Sequence, residues 1–245
     1  MSIQIETPSW NAPAQVKALS TLRVGGQSRG VYASLNLADY VGDDDSAVTR
    51  NRALLASVVG LPQNPNWLQQ VHGTQIIDFD RTKTGSARHE ADGATTTTHS
   101  VVCAVQTADC LPLLMTNRQG TRVAAVHVGW RGMAAGIIEN AVAKMRSETR
   151  DILVWAGPCI GAAAFEVGVE VQAQLRGPAA AYRPASSNDK VYADLRALAG
   201  DRLLKLGVTQ YFCSESCTYQ QDNAFFSYRR DGQCGRMASL IWIQP

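Results

Sequence analysis

The sequence predicts an α+β fold: a single domain over residues 1–245, with mixed β-sheets or a sandwich flanked by helices. Three observations predict it. Short apolar, largely valine-rich runs at residues 101–105, 123–126 and 152–156 are bounded by polar or turn residues, the pattern of buried strands. Apolar residues recur at helical spacing within residues 48–58, 132–145 and 193–206. Strand and helix patterns intermingle, with no internal repeat and no clear linker.

Composition narrows the class. The chain has 245 residues, 45% hydrophobic and 18% charged, enough to bury a large core. Its net charge is only +2, and lysine and arginine are scattered rather than bunched, which argues against nucleic acid as the main partner. Apolar runs fall far short of the roughly 20 residues that span a bilayer, so no membrane is expected. Residues 1–14 carry Glu6, Trp10, Pro8 and Pro13 in place of a basic start and an apolar stretch, so a cytoplasmic protein is expected. Six cysteines without a Cys-x-x-Cys pair read mostly as buried thiols of a reducing compartment.

The elements follow in order. Residues 17–22 form a strand leading into Arg23-Val24-Gly25-Gly26, where the glycine pair permits a sharp turn. Residues 34–37 alternate as a weak strand or turn. Asp43-Asp44-Asp45-Ser46 opens a helix that Gly60 and Pro62 stop. Strands at 67–71 and 75–79 flank His72-Gly73 on a tight bend, and 81–90 is a surface loop. The threonines at 95–98 favour extended chain. Strand 101–105 runs toward Thr107-Ala108-Asp109-Cys110, and strand 123–126 ends at His127. A glycine-bounded turn, 129–132, opens an amphipathic helix over 132–145, whose free N–H groups face the strand ends beside Arg131 and favour an anion. Strand 152–156 follows. Phe165-Glu166-Val167 then precedes a short helix through Val171, 177–189 is a polar, mobile excursion, and 193–206 is a second strong helix. Residues 225–228, Arg229-Arg230 and a strand at 238–243 finish the chain.

The chemistry concentrates at His72, Cys110 and His127, each shortly after a predicted strand and beside glycine or a polar cluster. Two imidazoles and a thiolate suit a zinc ion that keeps its fourth position open. Cys110 and His127 equally suit a nucleophile–base pair. Asp109, pointing to the opposite face of an extended chain, reads as a hydrogen bonder rather than a ligand. Arg131, Arg23, Arg229 and Arg230 are anion-binding candidates, each against the alternative of an ordinary surface charge. Glu166, between Phe165 and Val167, is expected to be half-buried, and Trp130 and Phe226 offer flat faces to a base or to the core. His89 and His99 sit in polar, loop-like sequence.

At these residues the chain resembles the YfiH-like family, also called the laccase-domain or multicopper polyphenol oxidase family and the peptidoglycan editing factors. The resemblance rests on Gln-Val-His-Gly (70–73), Thr-Ala-Asp-Cys (107–110), His-x-Gly-Trp-Arg-Gly (127–132) and Phe-Glu-Val (165–167). Ser-Tyr-Arg-Arg-Asp (227–231), Gly-Arg-Met-Ala-Ser (235–239), Thr-x-Arg-x-Gly-Gly (21–26) and Ser-Leu-Asn-Leu (34–37) extend it along nearly the whole chain. Val128 departs from the family's frequent alanine and is also small and apolar.

The resemblance implies an α/β/β/α-like domain related to deamidating toxins with a Cys–His site. It implies a zinc ion on His72, Cys110 and His127, with copper possible there. The implied activity is phosphorolysis of adenosine, guanosine, inosine and methylthioadenosine, with deamination of adenosine, so nucleoside and phosphate are the expected partners. On that reading Cys110, His127, Arg131 and Glu166 are catalytic, and Arg23, Asn36, Gln70, Asp92 and Arg229 contact substrate or phosphate. Glu166 or Asp92 would shuttle protons. The alternative is a Cys–His hydrolase or amidase that removes misplaced serine from a peptidoglycan precursor. A copper polyphenol oxidase needs many histidine ligands and fits four histidines with no His-x-His poorly. A closed structural zinc module would need a fourth ligand that the matching motifs lack. Oligomeric state is left open by the sequence.

Overall fold

Alternation along two adjacent strands sets the layering. Leu111, Leu113 and Met115 of the strand Leu111–Asn117, with Ala124, Val126 and Val128 of Val123–Val128, pack with the helical residues Ile137, Ile138 and Leu198. The intervening Leu114, Val123 and Ala125 face the other way, onto Val105, Ile241 and Ile243 of a second sheet. Both faces of these strands are therefore buried, and truncating a residue such as Leu113 to alanine should cost about 2–5 kcal/mol.

The computed structural model describes residues 2–82 and 88–244. A six-stranded sheet has the spatial order Gln210–Cys213, Ile152–Ala156, Leu111–Asn117, Val123–Val128, Gly93–Thr96, Ile76–Asp78. Its outermost pairs are parallel and its inner pairs antiparallel. The second sheet has the order Ile5–Glu6, Val16–Thr21, Met237–Ile243, Cys103–Thr107, all antiparallel. Helix Asp45–Val59 covers its far face, where Leu55 packs with Leu19, Leu240 and Trp242. Helix, sheet, sheet and helix thus stack in the α/β/β/α order that the resemblance implies, within the α+β class the sequence predicts. Glu166–Gly168, Lys190–Ala193 and Tyr182–Pro184 form a small sheet at one side, and Leu68–Gln69 pairs with His89–Glu90.

Helix ends follow their local chemistry. Asp44 accepts the Ser46 N–H at 2.9 Å to start Asp45–Val59, and Gly60 closes it at φ 67°. Asp194 accepts the N–H groups of Arg196 and Ala197 to start Leu195–Lys205.

Other expectations are corrected. The helix expected over 132–145 is two helices, Trp130–Ala135 and Ile137–Met145, because Gly136 at φ 98° breaks the ladder. Only a six-residue helix then faces the strand ends, too short for the anion site expected of a longer one. The strand before Ala108-Asp109-Cys110 is shifted to Cys103–Thr107, and Cys110 ends the bend just before the next strand, Leu111–Asn117, which Pro112 masks in sequence. Phe165-Glu166-Val167 leads into a strand, Glu166–Gly168, before helix Val169–Leu175. Residues 177–189 contain the 3-10 turn Ala179–Ala181 and the strand Tyr182–Pro184, pinned to Lys190–Ala193. His89 lies in a short strand rather than a loop, while residues 83–87 of the expected loop lie outside the described residues. Among the described residues no helix is long and apolar enough to cross a membrane.

Candidate functional site

His127 belongs to Val123–Val128 and shares its face with Val123 and Ala125, so it points between the two sheets. It pairs in register with Pro112, which places Cys110, two residues earlier, at the same end of the sheet interface. His72 arrives from a bend at φ 61°. The Cys110 sulfur lies 3.8 Å from His72 Nε2, and the two imidazoles meet edge to face with centroids 4.8 Å apart. One donor atom from each of the three residues lies within 4.8 Å of the others, and among the described residues this is the one such group.

Asp92 holds the arrangement from behind. Fully buried, it accepts from His127 Nδ1 at 2.8 Å and from the N–H groups of Val71, His72 and Gly73 at 3.2, 2.9 and 2.6 Å. A carboxylate on Nδ1 leaves His127 Nε2 for the site, the orientation a ligating histidine needs. Gly129 completes the fit: a Cβ there would lie 2.6 Å from His72 Cδ2 and 3.3 Å from the Cys110 sulfur. Burial pushes the Cys110 thiol up, but His127 and then His72 outweigh it and draw it below its ordinary value. Burial pushes His127 down, but Cys110 and Asp92 raise it. The thiolate so favoured is the form that binds metal or attacks as a nucleophile.

The triad borders a cavity of about 470 Å³, within the ~300–1,000 Å³ of small-molecule sites. A larger groove of about 810 Å³ shares Trp130 and Arg131 with it. That groove has no histidine or cysteine, and its Arg202 and Lys205 are paired with Glu139 and Asp201. The smaller cavity is the candidate site.

The sequence-predicted residues divide. Arg131 lines the cavity, its guanidinium 4.4 Å above the Trp130 ring and free of hydrogen bonds among the described residues. Arg229 also lines it, donating from Nη1 to the Glu166 carbonyl at 2.7 Å and lying 5.4 Å from the Phe165 ring. Gln70 lines it with both amide ends bound to the Gln106 backbone, which braces the His72 bend. Five others are not at the cavity surface. Arg23 is spent on the carbonyls of Ala33 and Asp222 and stacks on Phe226, itself fully buried. Asn36 is fully buried and binds Ala38, Asp43 and the Arg236 N–H. The Glu166 carboxylate pairs with Lys190 at 2.9 Å, and Asp92 is occupied as above. Arg230 is tied to the carbonyls of Thr218, Tyr219 and Phe225.

Sequence reasoning missed Tyr40, Gln106, Ile160, Tyr228 and Arg236 as lining residues. Arg236 and Tyr228 stand inside motifs already quoted and were findable there. Tyr40 and Ile160 carry no local signal. Asp109 behaves as expected of a hydrogen bonder, accepting from Thr218 Oγ1 at 2.6 Å and the Arg229 N–H at 2.7 Å.

Residues 17–244 match the family described as multi-copper polyphenol oxidoreductase laccase. The chain belongs to this family. It is 45% identical over 238 residues to "Purine nucleoside phosphorylase YfiH" of Shigella flexneri, covering 96% of this chain and 97% of that one. It is 42% identical over 247 residues to "Purine nucleoside phosphorylase" of Haemophilus influenzae, covering 99% and 100%. The crystal structure of Neisseria meningitidis protein NMB0706 superposes with a TM-score of 0.91 at 43% identity, covering 98% and 99%. That of YlmD from Geobacillus stearothermophilus gives 0.90 at 32%, covering 99% of each. Among the described residues, His89 and His99 are not part of the His–Cys–His group.

Proposed function

We propose that this YfiH-family member is one catalytic domain that phosphorolyses purine nucleosides, with adenosine, guanosine, inosine and methylthioadenosine as the substrate class. The observation that carries the reading is the cavity itself, where a His–Cys–His group, aromatic faces and three arginines, Arg131, Arg229 and Arg236, converge. The names of the relatives support it.

The donor set fits zinc. Two imidazoles and a thiol drawn toward thiolate converge within 4.8 Å, with His127 Nε2 turned inward by Asp92, and copper is chemically admissible on the same donors. His72, Cys110 and His127 would hold the metal, which would supply Lewis-acid stabilisation of developing negative charge. The protein does the rest. Arg131 and Arg229 hold phosphate, each worth about 1.5–3 kcal/mol as a charge-assisted hydrogen-bond donor. Phe165, Tyr228 and Trp130 offer faces for the flat base, and Ile160 excludes water beside it. An oxygen of hydrogen phosphate bonds to C1′ as the C1′–N bond breaks, and the base leaves carrying the proton that the hydrogen phosphate brought.

Deamination of adenosine has less support, because it requires a carboxylate to move protons. The one carboxylate lining the cavity, Asp109, has both oxygens engaged. The order Cys110–His127–Asp92 also suits a nucleophile, base and orienting acid, as a precursor hydrolase requires. A second imidazole 3.8 Å from the sulfur has no task in that chemistry and favours the metal. The test is release of base from inosine and adenosine with and without phosphate, by metal-replete, chelated and zinc-restored protein, with ammonia followed in parallel. Turnover that needs both phosphate and metal is expected. Metal-replete protein that releases no base with phosphate present would refute the proposal.

A further inference from the structure

Asp109 stands at φ 99°, a left-handed backbone region where glycine is at home and an L side chain is strained. A side chain maintained there has work that glycine cannot do. Its Oδ1 accepts the Thr218 hydroxyl at 2.6 Å, its Oδ2 accepts the Arg229 N–H at 2.7 Å, and its main-chain oxygen accepts the Ile160 N–H at 3.0 Å. Thr218 is fully buried and is itself fixed, donating its N–H to the Cys159 carbonyl at 3.0 Å and accepting from Arg230 Nη1 at 2.8 Å. Arg229 in turn reaches the Glu166 carbonyl. One carboxylate therefore joins the turn that carries Cys110 to the segment that carries Arg229, across 120 positions of sequence.

We infer that Asp109, oriented by Thr218, is the positioning residue that registers the Arg229 anion-binding arm against Cys110. The inference rests on the phosphate role proposed for Arg229. With both carboxylate oxygens engaged, Asp109 acts through Arg229: it fixes where the phosphate arm stands. Asp109→Asn separates its duties, because asparagine tolerates positive φ and keeps one uncharged acceptor, while its NH₂ must face either the Arg229 N–H, a donor only, or the Thr218 hydroxyl, which would have to turn and accept. Thr218→Val removes the hydroxyl at nearly constant volume, and Thr218→Ser restores it.

The experiment is calorimetric titration of inorganic phosphate into the folded, metal-loaded protein, beside the phosphate KM, the nucleoside KM, kcat and bound metal. Asp109→Asn should weaken phosphate binding roughly tenfold or more, the change expected when the Arg229 N–H loses its charged acceptor. Thr218→Val should weaken it severalfold and Thr218→Ser should recover most of that, with metal content and nucleoside KM unchanged. Phosphate affinity within twofold of the parent in both Asp109→Asn and Thr218→Val overturns the inference. So does a parallel loss of phosphate, nucleoside and metal binding, or parent protein that binds no phosphate. Should Asp109→Asn fail to fold, the Thr218 pair decides. Phosphate binding that behaves as expected without nucleoside turnover would leave this inference standing and remove the proposed reaction alone.

Discussion

Replacing Gly129 with alanine tests the metal centre without touching a donor atom. Gly129 has φ −75° and ψ 160°, angles alanine adopts without strain, so the substitution introduces a contact and not a backbone distortion. The new Cβ would lie 2.6 Å from His72 Cδ2, whereas carbon atoms settle about 3.5–4.0 Å apart. The ring must therefore retreat by about 1 Å, and a misplacement of that size costs on the order of 100-fold in catalysis. Displacing a ligating ring should also weaken metal binding by roughly 10–100-fold, the effect of disturbing a ligand's support. His72 is solvent-exposed, so its ring can yield at small cost to the fold. Stability should fall by about 1 kcal/mol, the usual difference between glycine and alanine at a helix N-cap, and Tm by about 2–4 °C. Metal titration, turnover and thermal unfolding of the same preparation measure all three. Metal affinity and turnover within twofold of the parent would refute the assignment of His72 to the metal site.

Three further outcomes follow from the same geometry. Asp92→Asn should destabilise the protein by about 1–3 kcal/mol and weaken metal binding roughly 10–100-fold. Its amide presents a donor to N–H groups that a buried carboxylate accepts, and thermal unfolding with metal titration measures both. Arg131→Ala should raise the phosphate KM by roughly 10–100-fold, while Arg23→Ala should leave it within about twofold and lower Tm, since Arg23 serves backbone carbonyls. Burial pushes the Asp80 carboxyl up, but the Thr97 hydroxyl and N–H, with the hydroxyls of Thr96 and Thr98, outweigh it and hold it at about 2. Its stabilisation is therefore complete above pH ~4 and lost as pH falls through about 2. Asp80→Asn should cost about 1 kcal/mol at pH 7 and flatten the stability curve between those values, as denaturant unfolding at several pH values would show.

Much of this was written locally. The Asp44 cap and Gly60 stop bound a helix at residues whose side chains or backbone freedom act within a few positions. The buried strand Ile152–Ala156 stands at the boundaries its apolar run predicts, because a strand buried on both faces reads as an unbroken apolar run. His72, Cys110 and His127 could be singled out because their residue types carry the chemistry and glycine or polar neighbours mark them. What the sequence left hidden depends on partners far along the chain. A lone arginine reads alike whether it binds phosphate or braces a loop. Arg131 lines the cavity with its guanidinium uncommitted, Arg23 is consumed by the carbonyls of Ala33 and Asp222, and only the packed structure separates them. Asp92 and Glu166 read equally well as proton carriers until burial behind His127 engages Asp92 and pairing with Lys190 turns Glu166 away from the cavity. Pro112 concealed the strand that places Cys110, because the proline signal is local while the pairing with Val123–Val128 and Ile152–Ala156 is not. By itself the sequence determined the α+β class, the ends of the helix from Asp45 to Val59 and the kinds of atoms at the site, since these follow from side-chain period and local hydrogen bonding. Tertiary structure alone decided which polar groups remain free to meet a substrate, because that depends on which distant donors and acceptors have already claimed them.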